Sequence, residues 1–232
     1  MSNAPLRIFI GYDERQRISY NVLAQSIARL SSKPVAITPL MIGQMPDSCK
    51  RTGLTPFTYS RFLVPYFNDY KGWALFLDAD MLLTEDISRL FDMANDSFSV
   101  MVAKNKLEFE WASAMLFNCA KCEVLTPEYV SEAANLHSIG WAKPEELGEI
   151  PPEWNFLVGY DSPKSAIPKL IHYTQGVPAF PETKDCEYAE LWFKEQNLSM
   201  GVAPWEKLMG NSVHAGVDKT TGRRVPLYKV QQ

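Results

Sequence analysis

The sequence predicts an α/β fold, and two stretches carry that expectation. Residues 6–40 read strand, loop, helix, strand, the opening unit of a sheet whose first loop faces a ligand. Trp73-Ala74-Leu75-Phe76-Leu77 is an almost continuous apolar run, the mark of a central strand covered on both faces. The chain has 232 residues, 46% of them hydrophobic, and no Gly/Ser-rich linker, repeat or low-complexity run divides it. That is enough apolar material for one sizeable core, so a single domain over residues 1–232 is expected.

Leu6 to Ile10 is the first strand. Gly11 and Tyr12 follow, and Asp13 with Gln16 three residues later resembles a capping box that opens a helix. Ile18, Val22, Ser26 or Ile27, and Leu30 recur at helical spacing, which carries that helix to about Leu30. Val35 to Leu40 is the second strand. Thr55-Pro56 reads as the cap and first turn of a helix bearing Phe57, Phe62, Leu63 and Tyr66, bent or ended by Pro65. Beyond the Trp73–Leu77 strand, Thr84 opens a short helix with Ile87, Leu90 and Phe91. Phe98–Ala103 and Ala114–Phe117 are further strands. Residues 127–168 hold many prolines and two tryptophans without a regular period and carry no assignment. Lys169–Tyr173 is one more strand, running into Thr174-Gln175-Gly176-Val177-Pro178, and a last helix spans about Glu187–Gln196.

The formal charge is −4, and Lys and Arg are scattered apart from Lys219, Arg223, Arg224 and Lys229, which argues against a nucleic-acid surface. No run approaches the roughly 18 apolar residues of a transmembrane segment, although peripheral membrane contact stays open. The N-terminus lacks the pattern of a signal peptide. Four cysteines in a chain this long do not make a disulfide scaffold, and the lone Cys119-x-x-Cys122 has no second ligand pair. A cytoplasmic protein with reduced thiols is expected.

Asp78-Ala79-Asp80 is the informative site, because two carboxylates leave the C-terminal end of a wholly apolar strand. Ligands of open α/β sheets bind at that edge. Residues two apart in a strand point the same way, and two close like charges call for a compensating cation or donors. Hard oxygen ligands suit Mg²⁺ or Mn²⁺, which could bridge them to a diphosphate. The plain alternative is a solvated turn with one Asp capping the next helix. His172, at the end of a strand, is either a third ligand, which would favour Mn²⁺, or a hydrogen-bonded structural histidine. His137 and His214 have no comparable setting. Gly11-Tyr12-Asp13 could approach a base or ribose, or simply form strand end, turn and cap. Arg61 could meet a phosphate or lie on the surface. Trp154 and Asn155 are an acceptor contact or a loop anchor.

In the segments IFIGYDERQRISYNVLAQSI, TPFTYSRFLVPYFNDYKGWALFLDADMLL, SAMLFN, PPEWN and IHYTQGVPAF, spanning Ile8 to Phe180, the chain resembles glycosyltransferase family 8, the group of glycogenin and lipopolysaccharide galactosyltransferases. DxD alone is weak; LDAD preceded by YSRFLVP and followed by HYTQG is more specific. The resemblance implies a single GT-A, Rossmann-like domain with a mixed, mainly parallel central sheet. It also implies a UDP-sugar donor, Mn²⁺ or Mg²⁺, a saccharide or other hydroxyl acceptor such as a glycolipid, and retained anomeric configuration. By position, Asp78, Asp80 and His172 would be metal ligands. Gly11, Tyr12 and Asp13 would face the uridine, Arg61 and Ala79 would line the donor, and Gln175 and Gly176 would approach the diphosphate.

Two departures stand against the family pattern. Many members have Lys three residues after the Gly, whereas Gly176-Val177-Pro178-Ala179-Phe180 has none, and no clear copy of the polar-Asp-x-Leu-Asn stretch occurs, Glu145 or Glu146 lying in about its place. No catalytic side chain is therefore assigned. Two rival readings remain. A haloacid dehalogenase-type phosphotransferase also opens on DxD, but prefers Thr or Val where Leu82 stands and puts the motif on its first strand. A non-catalytic UDP-sugar-binding protein is the other.

Overall fold

The computed structural model describes residues 4–134, 136–162 and 165–230. It divides into two compact units, Met1–Gln196 and Asn197–Gln232.

The first unit is built on a six-stranded sheet. Its strands are β1 (Leu6–Gly11), β2 (Val35–Leu40), β3 (Trp73–Leu77), β5 (Val100–Val102), β6 (Ala114–Asn118) and β7 (Leu147–Glu149), in the order β2-β1-β3-β6-β5-β7. β1 runs parallel to β2 and β3, and β7 parallel to β5, while β6 is antiparallel to both its neighbours. The sheet is mixed and mainly parallel, as expected. Ile8 stands opposite Ile37 and Leu75, and Ile10 opposite Leu77. Ala74 to Leu77 are all fully buried, so the apolar run is indeed a strand covered on both faces.

A three-stranded sheet, ordered β4-β9-β8, lies beside the end of β3 in the chain. It consists of β4 (Met81–Leu83), β8 (Phe156–Leu157) and β9 (Leu170–His172). Its apolar residues Leu82, Phe156 and Ile171 pack with Val22 and Trp192 into a second core cluster. Helix α1 (Arg17–Leu30) joins the two sheets, burying Ser19, Val22, Leu23, Ser26 and Ile27. Ser26 Oγ donates to Leu23 O at 2.8 Å and accepts from the Leu83 amide at 3.2 Å, which ties the helix to β4.

Several local expectations change in the structure. Asp13 caps a single 3-10 turn, Glu14–Gln16, and α1 begins only at Arg17. Gln16 accepts from Ser19 Oγ instead of closing a box on Asp13. Thr55 hydrogen-bonds to Thr58 within a turn and opens no helix. The chain passes through a 3-10 stretch, Ser60–Leu63, into α2 (Val64–Phe67), where Pro65 stands in the first turn, the one helical place that needs no N–H. Thr84 extends the β4–β9 ladder through its amide to Lys169 O. α3 (Ser88–Phe91) is preceded by Asp86, whose carboxylate accepts from the Ser88 amide and hydroxyl. The unassigned segment holds α4 (Pro127–Glu132), capped by Thr126 accepting from the Tyr129 amide. The late helix is α5 (Ala189–Met200).

The second unit contains α6 (Trp205–Met209), an antiparallel hairpin of β10 (Ala215–Val217) and β11 (Arg224–Pro226), and α7 (Leu227–Val230). Asp218 accepts from the Thr220 and Thr221 amides to turn the hairpin, and Gly222 supplies the left-handed backbone at φ +69°. Among the described residues, no helix is long and apolar enough to cross a membrane.

Candidate functional site

Where β3 ends, the ladder continues for one residue, because the Asp78 amide donates to Ser113 O at 2.9 Å. Asp80 O then accepts from the Tyr173 amide, and β4 starts at Met81 directly opposite His172. The Asp78–Asp80 segment is therefore the crossing from one sheet to the other, and the antiparallel β4–β9 pairing fixes His172 beside it. His172 Nε2 lies 3.4 Å from Asp80 Oδ1.

A third acid joins them that sequence reasoning missed. Glu110, on the 3-10 stretch Glu108–Ser113 before β6, places Oε2 4.0 Å from His172 Nδ1 and accepts from Ser113 Oγ at 2.7 Å. Asp78, Glu110 and His172 each offer one ligand atom within 4.8 Å of the others, the single such group among the described residues. The only sequence signal for Glu110 is that it precedes a strand, and it gains meaning once β6 is known to run antiparallel to β3.

Arg61 is 4% exposed and approaches Asp78, with Nη2 3.0 Å from Oδ1 and Nη1 3.3 Å from Oδ2. Its Nη1 also donates to Ala112 O at 2.9 Å, and the guanidinium sits over the Phe57 and Phe76 rings. The Arg61–Asp78 Oδ1 contact is close but off-line for a hydrogen bond, which leaves that buried oxygen with an unused acceptor. Burial pushes the Asp78 carboxyl up to about 6; Arg61 opposes the shift and Asp80 reinforces it. Burial pulls the His172 imidazole down, but Asp80 foremost, with Asp78 and Glu110, outweighs it and leaves the pKa raised. Arg61 offsets Asp78. Among the described residues, Asp80 and Glu110 have no Lys or Arg partner. Two carboxylates without a Lys or Arg partner around an imidazole, beside a buried Asp78 oxygen that Arg61 pairs without an aligned hydrogen bond, fit a hard divalent cation.

The first loop forms the strand end, turn and cap, one of its two expected readings. Gly11 is a glycine because the Phe57 ring lies on it; a Cβ there would come within 2.3 Å of the ring. That side of Gly11 is closed by the core. The Asp13 carboxylate is gripped by the Arg15 guanidinium, Nη2 to Oδ2 at 2.6 Å, which holds its pKa below the ordinary range. Tyr12 meets Tyr20 edge-on at 5.4 Å and lines a cleft of about 290 Å³ with Asp13, Met41, Gly43 and Pro56. That cleft is large enough for a planar ring.

Ala79 is 2% exposed and its methyl belongs to the main core, which leaves its side chain no open face toward a donor. Trp154 and Asn155 are fully buried and offer no surface to an acceptor, since the Trp154 ring fills the core and the Asn155 amide bonds to His172 Nδ1 and Glu110 O. Gln175 is exposed, and Gly176, at φ +120°, closes the turn after β9 through its amide to Tyr173 O. His137 stands apart among Tyr59, Phe62 and Phe109. Cys119 and Cys122 are buried thiols; burial pushes Cys119 up to about 11.

The WbbM bifunctional glycosyltransferase has the same fold, with a TM-score of 0.64 at 16% identity; the match covers 90% of this chain and 51% of WbbM, so the chain spans about half of that protein. Glycosyltransferase GlyE of Streptococcus pneumoniae TIGR4 matches with a TM-score of 0.60 at 15% identity, over 96% of this chain and 65% of GlyE. The galactosyltransferase LgtC, solved with donor and acceptor sugar analogs, matches with a TM-score of 0.58 at 11% identity, over 87% of this chain and 99% of LgtC. These likenesses establish the GT-A fold. No protein-family model matches the chain. In sequence, Protein CDI of Arabidopsis thaliana is 37% identical over 226 residues, covering 82% of this chain and 86% of the relative, and the chain belongs to the family of that protein.

Proposed function

We propose that the chain is a metal-dependent retaining glycosyltransferase, related to glycosyltransferase family 8, that moves a sugar from a UDP-sugar to a hydroxyl of a saccharide or glycolipid. The observation that carries this reading is the meeting of Asp80 and His172 at 3.4 Å, where the chain crosses from the central sheet into the β4–β9 ladder of a GT-A fold. Asp78, Glu110 and His172, whose ligand atoms lie within 4.8 Å of one another, would hold Mn²⁺ or Mg²⁺, joined by Asp80 at 3.4 Å from His172. When bound, the cation offsets charge on the diphosphate leaving group. Arg61 locks the Asp78 side chain in place and keeps the site from accumulating three bare carboxylates. Tyr12 would receive the uracil in its cleft, and the backbone of the Gln175-Gly176 turn would approach the diphosphate. A cytoplasmic setting fits the four free cysteines.

The phosphotransferase alternative is dropped, because DxD leaves the central strand of a GT-A sheet and not a first strand. A binding protein without turnover is favoured by one observation. Arg61 is committed to Asp78 and Gly176-Val177-Pro178-Ala179-Phe180 has no Lys, so neither place supplies a free cation to the diphosphate. Calorimetry decides the first question: UDP is expected to bind with Mn²⁺ and to lose affinity in EDTA or in Asp80→Asn. Equal affinity in Mn²⁺ and EDTA rejects the metal reading. Sugar release from a UDP-sugar in Mn²⁺ separates an enzyme from a mere binder.

A further inference from the structure

Asn155 is wholly buried and both ends of its amide are engaged. Nδ2 donates to Glu110 O at 2.9 Å, and Oδ1 lies 3.0 Å from His172 Nδ1. A backbone carbonyl only accepts, so Glu110 O dictates which end of the amide is the NH₂. The flipped amide would set oxygen against oxygen. With Oδ1 thereby turned to the ring, Nδ1 of His172 must carry the hydrogen, since an amide oxygen has none to give. The lone pair of the neutral imidazole is then on Nε2, the nitrogen facing Asp80.

We propose that Asn155 is a positioning residue that selects the His172 tautomer and ring orientation, aiming the Nε2 lone pair into the carboxylate cluster. The inference rests on the metal reading above and adds to it the reason why His172 can ligate. The same amide joins the segment before β8 to the 3-10 stretch carrying Glu110, so one side chain aligns two members of the cluster. Hydrogen bonds that orient a ligating histidine are typically worth 10–100-fold in metal affinity.

The test uses the full chain with Mn²⁺ as probe. In alkaline buffer, where imidazole is neutral, long-range ¹⁵N–¹H spectra of His-labelled protein should show His172 protonated on Nδ1. Asn155→Leu should release that preference and weaken Mn²⁺ binding about 10–100-fold. Asn155→Asp keeps the acceptor facing Nδ1 but loses the bond to Glu110 O. It should hold the Nδ1–H form and bind Mn²⁺ at least as tightly as wild type, even though its melting temperature falls. A wild-type ring protonated on Nε2 overturns the proposal without any variant. So does Asn155→Leu with wild-type Mn²⁺ affinity while His172→Ala loses it. Should His172→Ala bind Mn²⁺ normally, the metal reading fails by itself, and the ring spectra of wild type and Asn155→Leu still decide the tautomer lock.

Discussion

His137 shows how a residue of one type takes two fates in one chain. It lies face to face with Phe109 at 4.7 Å and edge-on to Phe62 and Tyr59, and its Nε2 is buried without a hydrogen-bond partner. Burial pushes its pKa down to about 4, helped by Arg61 and Arg51. The folded state therefore holds it neutral, while an unfolded chain binds a proton near pH 6.5. Its contribution to stability is present above about pH 6.5 and is lost as pH falls through about 4. His137→Phe should flatten the loss of stability between those two values, measured as urea midpoints across pH. An unchanged slope would show that this imidazole does not drive it. Gly11 makes a sharper steric prediction. Gly11→Ala pushes a methyl into the Phe57 ring and should cost about 1–3 kcal/mol by overpacking. Adding Phe57→Ala should make the two changes far less than additive, which a double-mutant cycle reads directly.

Between elements, the contact of α1 with α5 is held by an ion pair of unequal exposure. Glu195 is 3% exposed, and Arg29 reaches it with Nε–Oε1 at 3.0 Å and Nη2–Oε2 at 2.6 Å. The Arg29 side chain is 42% exposed, so the Coulomb term is screened and the two-pronged hydrogen bond matters more. Arg29→Ala leaves a carboxylate buried without its donor and should cost about 1–3 kcal/mol in thermal or denaturant unfolding. Arg29→Ala with Glu195→Leu should recover part of that, because no charge is then stranded. A single variant as stable as wild type would show that α5 is held by Trp192 and its apolar neighbours alone.

For the whole molecule, the two sheets meet at the Asp78–Asp80 crossing, so a cation bound there would bind only the folded chain. Ligands of that kind raise apparent stability by about 2.7 kcal/mol at a hundredfold excess over Kd. Melting temperature should rise with Mn²⁺ plus UDP and much less with either alone, and Asp80→Asn should abolish the rise. A shift that survives in Asp80→Asn would move the nucleotide elsewhere on the molecule.

What the sequence by itself determined are the features written locally. The strands at Leu6–Gly11, Val35–Leu40 and Trp73–Leu77, the helix ending at Leu30, and the carboxylate pair after the central strand all show in runs of residues long enough to display a period. β4, β7 and β8 have only two or three residues, too few for any period, and they are strands because partners hold them. The composition of the site was likewise decided in three dimensions. Antiparallel pairing of β4 with β9 carries His172 to Asp80, and antiparallel pairing of β6 with β3 carries Glu110 to His172 and Asp78. Arg61, read as a phosphate donor or a surface residue, is the buried counter-charge of Asp78, and Asn155, read as an acceptor contact or a loop anchor, is buried and hydrogen-bonded to His172. A buried charge or amide takes whichever partner the packed fold brings within hydrogen-bond reach, because leaving it unpaired costs more than any local preference of the chain.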